Sequence, residues 1–301
     1  MLPDIDSLAL FVRAAELRSI TKAADASHIG LAAASRRIML LEHHFKAALF
    51  DRSPKGVELT LAGQALLSHA KSLLMQVNHM QADMVDHSIG RQGSLRIFAN
   101  TSAMSAYLPS DLATFSANYP GIRLTIREMW SDTIVRAVLS GDADIGIVLE
   151  GVASEGLIFY PYRTDKLAIV VLPNHPLAAL ETIRFADVMD YEVTALEGDS
   201  SMMKLLAAQA VFDGKALRLR TQVRSFDVVC RMVQAGFGVG VLPRLAAEAL
   251  APSMGLKVYI LQEPWAVRNM QLCTHPERST QPVVVSLIQH MVAAAEKMTV
   301  K

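Results

Sequence analysis

Cysteine is scarce in this chain: Cys230 and Cys273 are the two among 301 residues. They fit neither a disulfide framework nor a zinc spacing, so we expect reduced thiols in a cytoplasmic protein. Long apolar runs are lacking as well, since no stretch of about 18 uncharged apolar residues occurs. The N-terminus carries Asp4 and Asp6 where a signal peptide would be basic. These absences argue against a membrane span and against a secretory signal.

An excess of positive charge is also absent, because 29 lysines and arginines balance 29 aspartates and glutamates. Such a balance does not favour nucleic-acid binding by the chain as a whole. Between positions 28 and 56, however, five bases oppose two acids, which leaves an excess of three positive charges. The bases are Arg36, Arg37, Lys46, Arg52 and Lys55. Two copies in a dimer would double this weak patch, so DNA affinity should depend on dimerisation and on salt.

A helix-turn-helix pattern lies in the same stretch. A short helix is predicted over Thr21 to Ala26, with Ser19 or Thr21 as its N-cap, and a turn containing Gly30 precedes a second helix that begins at Leu31. The apolar stripe, by helical spacing, consists of Ala24, Leu31, Ala34, Ile38 and Leu41. Ser35, Arg36 and Arg37 fall largely outside that stripe. This arrangement predicts a second helix that enters the DNA major groove.

A hairpin is predicted at Leu49 to Thr60, with a Pro-Lys-Gly turn. It would place Arg52 and Lys55 beside the helix pair as a basic wing. The alternative is that the whole segment is two surface helices and a loop. The order of helix, turn, helix and wing favours a DNA-binding domain, with a further helix over Ile5 to Ala15 packed beneath it.

These residues resemble the N-terminal signature of the LysR-type transcriptional regulators. The resemblance rests on Ser19-Ile20-Thr21-Lys22-Ala23-Ala24, Ala34-Ser35-Arg36-Arg37-Ile38, Leu49-Phe50-Asp51-Arg52 and Leu59-Thr60-Leu61-Ala62-Gly63. It implies a winged helix-turn-helix that binds double-stranded DNA through Thr21, Lys22, Leu31, Ala32, Ser35, Arg36, Arg37, Arg52, Ser53 and Lys55. The chain departs from the family at Gly30, Leu31 and Ala32, where Ser or Thr, Gln and Pro are usual. Leu31 cannot make a polar base contact, although it can touch a thymine methyl.

A long helix is predicted from Thr60 to about His87. Its apolar positions form a narrow heptad seam at Leu66, Ala70, Leu73, Val77, Met80 and Met84. A seam of this width suits pairing with another helix, and the family carries its dimerising linker helix here. We therefore assign dimerisation to Leu66, Leu73, Val77 and Met80 in a homo-oligomer, either a dimer or a tetramer. The alternative is a single amphipathic helix docked on its own domain.

Beyond the predicted linker at Ser88 to Gly93, strands and helices alternate, with one helix expected over about Ala103 to Tyr119. This alternation indicates an α/β fold with mainly parallel sheets. Gly93-Ser94-Leu95-Arg96-Ile97, Gly141-Asp142-Ala143-Asp144-Ile145 and Gly236-Phe237-Gly238-Val239-Gly240 are similar to the effector-binding half of the same family. That half resembles type-2 periplasmic binding proteins, with two subdomains joined by crossing strands, here expected near Tyr160 to Lys166 and Gln262 to Arg268. The expected domains are 1–60 (DNA-binding), 61–92 (linker helix and hinge) and 93–301 (effector-binding, with subdomain I at about 93–162 and 267–301 and subdomain II at about 163–266).

Polar clusters follow several of the predicted strands, each directly before a helix. Helix capping explains any one of them. In doubly wound sheets, however, ligands bind outside the carboxyl ends of the strands, and helix N-termini attract anions. We therefore predict effector contacts from Asn100, Thr101, Ser102, Glu128, Trp130, Ser131, Glu150, Ser200, Ser201 and Phe226. A small organic acid, aromatic acids included, would place its carboxylate near Ser102 and Ser131 and its remainder near Trp130 or Phe226, although the nearby acids oppose a purely anionic ligand.

No catalytic or metal-binding pattern was found. The glycines at 236–240 follow a helix and precede a strand, the reverse of a nucleotide-binding loop. A Gly-x-Ser-x-Gly elbow is missing, and the nine histidines are scattered. We expect no enzymatic activity and no cofactor. The prediction is a DNA-binding regulator modulated by a small molecule, and the alternative is a solute-binding or catalytic α/β protein with an incidental helical extension.

Overall fold

The computed structural model describes residues 3–53, 56–88, 93–152, 154–197 and 200–299. Lys55 of the predicted wing, most of the predicted hinge at 89–92, and Gly198 and Asp199 of one polar cluster lie outside these ranges. The chain divides into two compact units, residues 1–89 and residues 90–301. None of the described helices is long and apolar enough to cross a lipid bilayer.

The first unit is a winged helix-turn-helix followed by a long helix. Its helices are α1 (Ile5–Leu17), α2 (Ile20–Ala26), α3 (Leu31–Phe45) and α4 (Leu61–Ser88), and its strands are β1 (Phe50–Ser53) and β2 (Gly56–Leu59). Ser19 caps α2 by accepting the backbone N–H of Lys22. The buried core contains Phe11, Ala34, Ile38 and Leu41. The two strands pair antiparallel, so the predicted hairpin is present on both sides of its undescribed turn.

Close packing fixes the start of α4 against the wing. Thr60 Oγ1 accepts the N–H of Gly63 at 3.0 Å and donates to the carbonyl of Ala48 at 2.6 Å. A Cβ at Gly63 would lie 2.1 Å from the carbonyl oxygen of Leu49, which explains a glycine at this position.

Helix α4 has two different environments along its length. Ala70 is buried and Leu66 is partly buried in the core of their own unit. Leu73, Met80 and Met84 are exposed and Val77 is half-buried. The seam is therefore not exposed along its whole length, because its first two positions pack into the core of the helix-turn-helix. Its later positions remain available, and their role in dimerisation stays a prediction.

The second unit is an α/β domain. Its strands are β3 (Gly93–Ala99), β4 (Ile122–Glu128), β5 (Ile145–Leu149), β6 (Ile158–Val171), β7 (Val193–Leu196), β8 (Leu219–Val223), β9 (Val239–Pro243), β10 (Lys257–Ile260) and β11 (Val267–Thr274). Its helices are α5 (Thr101–Ser105), α6 (Leu108–Asn118), α7 (Ser131–Leu139), α8 (Phe185–Val188), α9 (Ser201–Phe212), α10 (Phe226–Gln234), α11 (Arg244–Leu250) and α12 (Pro282–Thr299).

Among the described residues the strands run in the order β4-β3-β5-β11-β6-β9-β7-β8, with β10 beside β6. The β3–β4, β3–β5, β7–β8 and β7–β9 pairs are parallel. All pairs made by β6 and β11 are antiparallel, so the sheet is mixed rather than mainly parallel. The reason is that β6 and β11 are the crossing strands, which pair with each other from Ile158↔Thr274 to Lys166↔Val267.

Two expectations about local structure were wrong. One helix was predicted over Ala103 to Tyr119, but the chain forms α5 and α6 with a break at Ala106 and Tyr107. Pro109, in the first turn of α6, lacks an N–H and disfavours helical backbone before it. The second crossing strand begins at Val267 instead of Gln262, because Pro264–Ala266 forms a 3-10 turn.

Candidate functional sites

The first turns of helix α3 present four of the ten predicted DNA contacts at least partly to solvent. Leu31, Ala32 and Arg36 are exposed and Ser35 is half-buried, whereas Ala34 and Ile38 are fully buried. This face exists because Ala34, Ile38 and Leu41 pack on the opposite side of the helix; Leu31, predicted in the same apolar stripe, is instead exposed. The N-cap, Gly30, offers no side-chain hydrogen bond.

The other predicted DNA contacts differ in how free they are. Thr21 and Lys22 are exposed on α2. Arg37 points toward α1, where its Nη1 lies 3.8 Å from Asp6 Oδ2. Ser53 is exposed in the wing and donates to the carbonyl of Gly56 at 3.4 Å. The side chain of Arg52, like Lys55, lies outside the described part of the chain.

In the second unit, polar residues after β3, β4 and β7 meet at one cavity of about 20 Å³. Seven of the ten predicted effector contacts line it: Asn100, Thr101, Ser102, Trp130, Ser131, Ser200 and Ser201. Trp130 reaches across and packs against the core formed by residues 167–266. A cavity of this size holds about one water molecule. The two walls of the cleft are therefore close together in this structure.

The remaining lining residues were not predicted, and Arg268 is the most important of them. It lies on β11, opposite Asp165 of β6, and the two side chains form an ion pair that is almost completely buried. The same guanidinium donates to Ser102 Oγ at 3.3 Å. The sequence did contain a signal, since Arg268 is a charged residue at the end of a predicted crossing strand.

Several buried donors at this cavity have no hydrogen-bond partner in the protein. They are Nε and Nη1 of Arg268, Nδ2 of Asn100 and the hydroxyl of Ser131. An unsatisfied buried polar group costs about 1–3 kcal/mol, more when it is charged. Unpartnered donors on residues that line one cavity, a guanidinium among them, can hold an anion such as a carboxylate.

Capping accounts for only part of the predicted polar clusters. Asn100 Oδ1 accepts the N–H of Ala103 at 2.9 Å, and Ser200 Oγ accepts the N–H of Met203 at 3.1 Å. Helix α7 has Trp130 at its N-cap and no side-chain cap. The hydroxyl of Ser131 and the amide of Asn100 thus remain available for a ligand.

Three predicted effector contacts do not reach this cavity. Phe226 is buried in the core of residues 167–266, because the first turn of α10 faces the sheet. Glu128 is exposed at the end of the edge strand β4. Glu150 lines a separate groove of about 530 Å³, where Asn269 Nδ2 donates to its Oε2 at 2.8 Å.

Two acidic residues next to the predicted polar clusters, Glu197 and Asp227, each have a basic partner. Glu197 pairs with Arg224 at 2.8 Å, and Asp227 pairs with Arg231 at 2.8 Å, both at the surface. Asp165, the buried acid beside the cavity, is paired with Arg268. The positive N-terminal ends of α7 and α9 then leave the surroundings of the cavity favourable to negative charge.

The two thiols lie apart from this cleft in separate cores. Burial raises the pKa of Cys230 to about 11 and that of Cys273 to about 12. Thiols of this kind are nearly all protonated at neutral pH and react slowly. Within the described ranges, no three His, Cys, Asp or Glu side chains are grouped closely enough to hold a metal ion.

Comparison with known protein families gave two matches. Residues 5–64 match the family described as "Bacterial regulatory helix-turn-helix protein, lysR family", and residues 88–296 match "LysR substrate binding domain". The second match alone covers more than half of the chain.

Full-length relatives and solved structures agree with these matches. The Escherichia coli K12 protein YbhD, an uncharacterized HTH-type transcriptional regulator, is 26% identical over 93% of this chain and 88% of its own. The Bacillus subtilis transcriptional dual regulator GltC is 24% identical over 93% of both chains. Full-length CbnR in complex with its target DNA superposes with a TM-score of 0.77 at 20% identity, covering 97% of this chain and 100% of that one. The effector-binding domain of QuiR with shikimate gives 0.62 at 17% identity, covering 68% and 98%.

Proposed function

This chain belongs to the LysR family of bacterial helix-turn-helix regulators, and on that premise we propose that its effector is a small organic acid anchored by Arg268. The chain is a DNA-binding transcriptional regulator with an effector-binding domain. The proposal concerns which chemical class of molecule that domain senses and which residues hold it.

The buried guanidinium of Arg268 is the observation that carries the proposal. Only one of its three nitrogens has partners, Asp165 and Ser102, while Nε and Nη1 face no acceptor in the protein. A ligand carboxylate would accept from one of these two nitrogens and supply the missing acceptor to Ser131 and Asn100. Hydrogen bonds between ionised groups are shorter and about twice as strong as neutral ones.

The body of the acid would lie against Trp130, with Ser200 and Ser201 on the opposite wall. An aromatic or cyclic acid fits this surface because Trp130 offers a flat apolar face. Shikimate, the molecule bound in the QuiR domain, is itself a cyclic carboxylate, which supports the choice of class.

Thermal unfolding of the full chain with benzoate, shikimate and succinate tests the proposal, with benzamide and benzylamine as neutral and cationic counterparts. A carboxylate at 100 times its dissociation constant adds about 2.7 kcal/mol of stability. For a domain of this size that raises the midpoint by about 5–10 °C. Arg268→Gln should remove the shift.

Arg231→Gln is the matched control, since Arg231 is an exposed arginine whose ion pair lies at the surface. It should keep the full shift. The proposal is wrong if Arg268→Gln retains the shift, or if benzylamine stabilises the protein and none of the acids does.

The remaining predictions follow from the same premise. We propose that the chain acts in the cytoplasm, without catalysis, as a homo-oligomer whose paired α4 helices bring two copies of α3 onto one DNA site. The exposed side chains of Leu73 and Met80 support pairing through the later turns of α4. Half-sites about 34 Å apart require two recognition helices, so loss of the pair should weaken specific binding.

A further inference from the structure

The first turn of helix α3 exposes hydrocarbon where a DNA-reading helix usually exposes hydrogen-bonding groups. Leu31 is 48% exposed, and Ala32 and Ala33 beside it are exposed as well. These three residues are not part of the unit's buried core, which draws on Ala34, Ile38 and Leu41 of the same helix. The apolar character of this turn is therefore not required for packing.

Among the described residues, the side chains of this turn face solvent. Gly30, directly before it, has open space around the position that a Cβ would occupy. Its φ of −66° is one that any residue adopts, so backbone geometry does not demand a glycine here. The exposed cations Lys22 and Arg36 lie on the same helix pair, which suits a polyanionic partner.

We infer that Leu31 and Ala32 read thymine through its 5-methyl group, and that Arg36 reads a guanine within about two base pairs. This inference rests on α3 entering the major groove. The thymine methyl is the apolar group that this groove displays, whereas arginine pairs with the O6 and N7 atoms of guanine. Ala32 and Arg36 are four residues apart on one face, which is about 6 Å along the helix. One base-pair step is about 3.4 Å, so the two contacts fall on adjacent or next-adjacent pairs.

The experiment removes single methyl groups from DNA. Duplexes are first selected from a random pool by the full-length chain, and each thymine of the preferred sequence is then replaced by deoxyuridine. Burial of one methyl is worth about 0.8 kcal/mol, so each contacted thymine should lower the affinity about fourfold when it loses its methyl. Leu31→Ala should bind the thymine duplex more weakly and should lose its response to deoxyuridine at one position.

Leu40→Ala is the matched control, because Leu40 is 57% exposed on the same helix but lies near its C-terminal end. It should keep the full deoxyuridine response. Leu31→Gln provides a second variant, and a selection with it should no longer enrich thymine at the position that Leu31 reads.

The outcomes distinguish a failure of DNA binding from a failure of methyl readout. If no duplex is enriched, the premise of DNA binding fails and the inference fails with it. If a sequence is enriched but deoxyuridine leaves the affinity unchanged, DNA binding stands and methyl readout by Leu31 is wrong. The same conclusion follows if Leu31→Ala responds to deoxyuridine as the parent does.

Discussion

A buried ion pair on the first crossing strand provides the sharpest test of how the effector-binding domain is stabilised. Arg163 Nη2 donates to both carboxylate oxygens of Asp111 at 2.9 Å, and Tyr162 donates its hydroxyl to Asp111 at 2.6 Å. Arg163 Nη1 also donates to the carbonyl of Ala294 on α12 at 3.0 Å. All three side chains of this network are more than nine-tenths buried. Removing one partner would therefore leave an uncompensated charge inside the protein.

Asp111→Ala should cost about 3–5 kcal/mol, the usual cost of stranding one charge of a buried pair. For a domain of this size, calorimetry of the full chain should show the effector-domain transition about 6–20 °C lower. Replacing both partners by apolar residues, Asp111→Leu with Arg163→Met, should recover most of that loss because no charge is left unpaired. The exposed pair Arg244–Glu248 is the control, and Glu248→Ala should cost less than about 1 kcal/mol.

A shift from Asp111→Ala that is no larger than the shift from Glu248→Ala would contradict a stranded charge in the buried network. A double variant at least as unstable as the single one would do the same, since the cost would then come from lost packing and not from a stranded charge.

Two further predictions concern reactivity and assembly. Burial raises the pKa of Cys230 to about 11 and that of Cys273 to about 12. Ellman's reagent at pH 8 should therefore label both thiols slowly in the native chain and rapidly in guanidinium. Equal labelling rates in the two states would contradict this. Raising the pH should speed native labelling, since the thiolate fraction grows as the pH approaches these values. Leu73→Asp should dissociate the oligomer, as measured by light scattering, because it would bury a charge in the α4 seam. Leu61→Asp is the control and should not dissociate it, since Leu61 is 86% exposed and lies off that seam. A Leu73→Asp variant that keeps the parental mass would argue against pairing there.

The helix-turn-helix was predictable because each of its parts has a local cause. Ser19 caps α2, and Ala34 and Ile38 supply an apolar stripe at helical spacing. The wing is a hairpin of two four-residue strands that follow one another closely in the chain. Such signals depend on residues that are close together in the sequence, so one chain is enough to recognise them. The polar clusters that line one cavity were predictable for a similar reason, since the position of each follows once its strand is known.

The cleft was predicted less completely because its decisive contact joins distant parts of the chain. Arg268 meets Asp165 and Ser102 across separations of 103 and 166 residues, and no local pattern predicts such a pairing. Phe226, by contrast, was predicted at the cleft but is buried away from it. Phe226 and Trp130 both lie beside a serine at the start of a helix, yet only Trp130 lines the cavity. The rotation of each helix about its axis decides which of its residues face the cleft. Packing against the sheet sets that rotation, and sequence position does not reveal it.

The position of Arg268 also explains how a ligand could act on the whole domain. On strand β6, Arg163 is fixed to α6 and α12 through Asp111 and Ala294, and residues from Leu167 onward are buried in the other core. Between them lie Thr164, Asp165 and Lys166, which all pair with β11, and Asp165 faces Arg268. A cavity of about 20 Å³ is far smaller than the 300–1,000 Å³ typical of ligand sites, so an organic acid can enter only if the walls move apart. We expect a carboxylate on Arg268 to act on this segment, because the same guanidinium also holds Asp165 between the two cores.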